Sequence, residues 1–128
     1  MRLLLDTCTF LWIAADSAQL SKRAAQLFSD PANEVFLSAV STWEIAVNHS
    51  LGRLPLPAAP GDYIVALRER HGIAALPLNE EESLYLPRIP NLHRDPFDRM
   101  LVCQAIVNSL ALLTPDPLIS QYPIRTIW

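Results

Sequence analysis

Short apolar runs alternate along this chain with stretches in which apolar residues return every three or four positions. Leu3-Leu4-Leu5, Val35-Phe36-Leu37 and residues 73–76 and 110–113 have the length and continuity of buried strands, and 124–127 is a candidate fifth. Between them the helical period takes over. Phe10, Leu11 and Ile13 follow the first run at helical spacing, and Ser21 is placed to cap an amphipathic helix from Lys22 to about Ser29 with Ala24, Ala25, Leu27 and Phe28 inward. Ser41-Thr42-Trp43-Glu44 opens another helix, with Ser41 and Glu44 at capping-box spacing, and Gly52 stops it. Helices are also predicted over 62–70 and 80–86. A strongly amphipathic one begins at Pro96, capped by Asp95, and runs to about residue 109.

Strands that alternate with helices imply an α/β fold: a parallel sheet covered on both faces, in three α/β/α layers. Right-handed crossovers then bring every strand's carboxyl end to one edge, where sites form in open sheets. Asp6 follows the first strand directly and Asp116 follows the fourth by a few residues. Glu44 and Asp98 lie in the first turns of helices that leave the same edge. Four acids distant in sequence are thus expected to converge. Each also has a local role open to it: Asp6 as a helix cap, Glu44 in a capping box, Asp98 in a first turn favoured by the helix dipole, Asp116 in a Pro-flanked turn.

Composition changes this picture in three ways. With 128 residues, no repeat and no long linker, the chain reads as one domain over 1–128. Hydrophobic residues make up 51% and charged ones only 18%, so part of the apolar surface is expected to be buried by self-association. No apolar stretch approaches the ~18 residues of a membrane span, and Cys8 and Cys103 lack metal-site spacing. The chain therefore reads as soluble and cytoplasmic, with both cysteines as buried thiols. The net charge of -3 argues against a generic phosphate-backbone binder, unless the acid-rich site is filled by cations.

Clustered carboxylates raise one another's pKa and oppose folding; a divalent cation relieves the cost. Oxygen-only donors suit Mg²⁺ or Mn²⁺, which activate water and polarise phosphoryl oxygens, so phosphodiester hydrolysis is the expected chemistry. Thr7 and Thr114 are placed to donate hydroxyl hydrogen bonds to the acids, or simply to satisfy backbone. Asn48 shares the Glu44 helix face, and Arg94 and Arg99 flank Asp98 as candidate phosphate contacts. His49, His71 and His93 show no mutual spacing and read as surface or loop residues; Trp12 and Trp43 read as core. A phosphoacceptor domain would need a lysine by the acids, but the only one is Lys22. A haloacid-dehalogenase-like phosphatase would need an Asp where Cys8 stands.

The segments Leu3-Leu4-Leu5-Asp6-Thr7, Ser41-Thr42-Trp43-Glu44-Ile45-Ala46, Gly52-Arg53-Leu54, His93-Arg94-Asp95-Pro96-Phe97-Asp98-Arg99-Met100-Leu101 and Leu113-Thr114-Pro115-Asp116 resemble the PIN domain, specifically VapC-type toxins of type II toxin–antitoxin systems. The resemblance covers essentially the whole chain in order and spacing. It implies a five-stranded parallel sheet in the order 3-2-1-4-5 and a Mg²⁺- or Mn²⁺-dependent endoribonuclease. It also implies homodimerisation and silencing by a small VapB-like antitoxin. The metal-binding and catalytic acids fall on Asp6, Glu44, Asp98 and Asp116, with Thr7 and Thr114 as the accompanying hydroxyls and Asp95 as cap and outer residue. Asn48 departs from the family, where many members carry Lys. The alternative is an inactive PIN-like module that binds RNA or a protein partner.

Overall fold

The computed structural model describes residues 1–128. Its strands are β1 (Arg2–Leu5), β2 (Glu34–Ser38), β3 (Ala74–Leu76), β4 (Ala111–Leu113) and β5 (Thr126–Ile127). They form one sheet in the order β3-β2-β1-β4-β5, parallel at every pairing. The central strand is the first one: Leu3 lies opposite Val35 on one side and Ala111 on the other. The last strand is shorter than its apolar run, because the Ile124 N–H turns back onto the Tyr122 carbonyl at 2.8 Å.

The helices are α1 (Thr7–Ala14), α2 (Lys22–Ser29), α3 (Ala39–Ser50), α4 (Pro60–His71), α5 (Glu80–Tyr85) and α6 (Pro96–Val107). Period-two alternation along the strands divides the core into two layers. Leu3 and Leu5 of β1, Val35 and Leu37 of β2, and Leu113 of β4 pack with Phe10, Ala24, Ile64 and Leu67 from α1, α2 and α4. Leu4 and Leu112 point the other way, onto Leu101, Val102 and Ala105 of α6. All three leucines of β1 are fully buried, which explains why the run is continuous rather than alternating. Helix α3 contributes Val40 to the second layer and Ile45 to the first, so it straddles the sheet.

That helix starts earlier than the capping-box pattern predicts. Ser38 is the N-cap, its hydroxyl accepting from the Val40 N–H at 2.9 Å and donating to the buried Gln104 Oε1 at 2.5 Å. Gln104 in turn donates to the Pro77 carbonyl. Ser41 is therefore an interior, buried helix residue, and Glu44 belongs to the second turn rather than the first. The capping box assigned to Glu44 does not exist, and its carboxylate is free for other partners.

Candidate active site

Asp6 does cap α1: its Oδ1 accepts from the Thr9 N–H at 2.7 Å. The cap uses one oxygen only. Oδ2 accepts a hydrogen bond from the Thr114 hydroxyl, and Thr114 Oγ1 accepts from the Asp116 N–H at 3.1 Å. One buried threonine thus ties the first acid to the loop that carries the last. Asp116 closes that loop by accepting from the Leu118 N–H at 2.9 Å, an Asx turn that fixes its carboxylate just beyond β4.

Glu44 is reached from α1. The Thr7 hydroxyl donates to Glu44 Oε1 at 2.6 Å and lies 3.0 Å from the Ser41 hydroxyl. Asp95 caps α6, its Oδ1 accepting from the Phe97 and Asp98 N–H groups. Asp98 occupies the first turn, half-buried, with Oδ2 3.3 Å from His93 Nε2; His93 Nδ1 lies 2.7 Å from the Tyr122 hydroxyl.

Electrostatics register the convergence. Burial raises the Asp98 pKa to about 8, reinforced by Asp95, Glu44, Asp116 and Asp6 in that order. Asp6 and Glu44 are also raised, by burial first; threonine hydrogen bonds partly oppose the shift in both. Cys8 senses the whole group. Its thiol is pushed up to about 11 by partial desolvation and then by all four acids. Asp95, expected only as a cap and outer residue, supplies the largest like-charge effect on both Asp98 and Glu44.

The structure thus gathers Asp6, Glu44, Asp98 and Asp116, with Thr7, Thr114 and Asp95 in direct support. Asn48 is half-buried one turn beyond Glu44 and its side chain makes no hydrogen bond there. Arg99 follows Asp98 but pairs with none of the acids, and its Nε is buried without a partner. Three expectations are corrected. Cys8 is exposed rather than buried: it sits in α1's first turn, open to solvent on the side of the acids. Trp43 is 60% exposed rather than core, since it projects from the second turn of α3 at the rim. His93 is a site residue: its side chain is 7% exposed and bridges Tyr122 to Asp98.

The acids offer oxygen donors only, and no basic group other than His93 contacts them. That set fits a hard divalent cation. No three of these side chains close into a cage around one point.

A family model for the PIN domain matches residues 3–124. The chain belongs to the PIN domain family. Over 73 residues it is 33% identical to Ribonuclease VapC16 of Mycobacterium tuberculosis, a match covering 57% of this chain and 50% of that protein. The chain therefore spans about half the length of the curated relative it matches. The PIN fold recurs in the VapBC2 complex of Rickettsia felis bound to a promoter DNA fragment, with a TM-score of 0.73, 12% identity, and 99% and 98% of the two chains covered. It recurs again in FitAcB of Neisseria gonorrhoeae, with a TM-score of 0.66, 20% identity, and 98% and 96% covered.

Thr114→Val tests the junction at the heart of this PIN site. The near-isosteric change leaves the buried Asp6 Oδ2 and the Asp116 N–H without their shared partner. Unfolding in urea is expected to show a loss of about 1–3 kcal/mol, the cost of stranding buried polar groups. An unchanged midpoint would mean that the hydroxyl is not holding the two acids together.

Proposed function

We propose that this PIN-domain protein is a Mg²⁺- or Mn²⁺-dependent endoribonuclease, the toxin of a type II toxin–antitoxin pair. One observation carries the reading: carboxylates from four separate elements meet at one sheet edge, and burial raises the pKa of three of them, with no basic residue but His93 in contact. A cluster that costly is rational as a cation site. The names of similar proteins, a ribonuclease and VapBC complexes, support the substrate class and a VapB-like antitoxin partner. A homodimer suits the exposed apolar side chains, among them Leu84 at 68% and Leu51 at 56%.

Asp6, Glu44, Asp98 and Asp116 would hold the ion between them, directly or through its bound water, and the ion supplies Lewis-acid polarisation of the phosphate and activation of water. The chain's own part is preorganisation. Thr114 keeps Asp6 and Asp116 in register, Thr7 aims Glu44, and the α6 N-terminus with its Asp95 cap fixes Asp98. His93 holds Oδ2 of Asp98 against rotation.

Single-stranded RNA incubated with the purified protein is expected to be cut in Mg²⁺ or Mn²⁺ and left intact in chelator. Equal cutting with and without metal, or none with either ion, overturns the proposal.

A further inference from the structure

Beside the acids lies a feature that metal-assisted hydrolysis does not use. Trp43 precedes Glu44 on α3, and Arg99 follows Asp98 on α6, so the same two helices that present the acids also present a second set of side chains. Together with Arg94, Pro96 and Met100, these residues line a cavity of about 200 Å³. Trp43 leans edge-on against Phe97, with ring centroids 5.0 Å apart, and most of the indole remains open. Neither arginine is in a salt bridge, although acids are close by, and Arg99 Nε is buried with no partner at all.

A large aromatic left in water costs free energy, and a guanidinium with no acid partner keeps its donors free for an incoming acceptor. The occupant that suits this cavity carries a flat ring to cover the indole and an anionic or acceptor oxygen for the open guanidinium nitrogens of the two arginines. A nucleotide has this pairing: a base to stack and a phosphate or base carbonyl to accept from arginine. The volume falls below the ~300–1,000 Å³ of whole-ligand pockets, which suits one ring system rather than an entire small molecule. Position selects the source. Two of its lining residues, Trp43 and Arg99, are chain neighbours of Glu44 and Asp98, so a nucleotide next to the one being cut is the occupant nearest to hand.

We propose that the Trp43–Arg94–Arg99 cavity is a nucleobase subsite that seats a base next to the cleaved phosphodiester and gives the enzyme its sequence preference. This inference rests on the ribonuclease reading above. Stacking supplies affinity for any base, and the arginines, as donors only, favour bases that present acceptors.

The test uses the full chain carrying Asp6→Asn, so that bound RNA is not consumed, and a short fluorescent single-stranded RNA of mixed sequence. A matched probe with abasic positions keeps the phosphate charge and removes the rings. Anisotropy is expected to show tighter binding of the base-bearing probe. Adding Trp43→Ala should weaken that binding about tenfold, within the range for one lost base–aromatic stack, and erase the preference over the abasic probe. Trp43→Phe should keep part of it. Equal losses for both probes, or no loss, overturn the proposal. So does loss of self-association in Trp43→Ala with RNA affinity unchanged, which gives this face to a second copy of the chain. In cleavage-competent protein, Trp43→Ala should redistribute the cut sites. Metal-dependent cutting with an unaltered pattern removes the subsite and leaves the ribonuclease standing, whereas no cutting by unmutated protein removes both.

Discussion

Asp98→Asn is expected to abolish metal-dependent RNA cleavage while making the protein harder to melt. The two effects have one cause. Burial and four neighbouring acids make the Asp98 charge unfavourable in the folded state, so removing it stabilises the metal-free protein. The same charge is what a divalent cation needs. Electrostatic stabilisation by a metal is worth several kcal/mol, so the loss of activity should be on the order of a thousandfold or more. Thermal unfolding in chelator should show a melting temperature a few degrees above the unmutated chain. Added Mn²⁺ should raise the unmutated protein far more than the variant. A destabilised variant would mean that Asp98 is a structural residue held by favourable contacts, and retained cleavage would remove it from the site.

The second large effect is a reversal of pH dependence by metal. A carboxyl whose folded pKa lies above its unfolded value binds more protons when folded. Stability is then greatest below the unfolded pKa and falls as pH rises toward the folded one. For Asp98 that window runs from 3.8 to about 8, and the raised Asp6 and Glu44 add to the fall in the same direction. In chelator the melting temperature should therefore drop between about pH 5 and about pH 8. Saturating Mg²⁺ or Mn²⁺ binds the ionised form and should flatten or invert that slope. Parallel profiles with and without metal would place the ion somewhere other than this cluster.

Much of this arrangement was legible because its signals are local. The β1 run is continuous because both faces of the central strand are covered, and Ser21 marks the start of α2 because its hydroxyl bonds the Ala24 N–H three residues on. Strand ends and helix starts bring Asp6, Asp98 and Asp116 to one edge, while the choice of Asp98 over its neighbour Asp95 came from the PIN resemblance. What was missed depends on partners far away in sequence. Ser38 and Ser41 are equally good caps by residue type; the contact from Ser38 to Gln104, 66 positions later, distinguishes them. His93 is an unremarkable loop histidine until Tyr122 folds against it from 29 positions away. Trp43 has core periodicity, but periodicity does not report that the helix crosses a sheet edge where nothing covers it.

The first of the five strands in chain order is the one at the centre of the sheet. β1 cannot gain its second neighbour until β4 has been synthesised, and Asp6 waits for a hydroxyl 108 residues downstream. Pairings of that range are slow to form and impose a long interval in which the chain is incomplete. Asp6, Glu44 and Asp98 all precede β4 in the chain, so the centre is complete only once Thr114 and Asp116 have joined it.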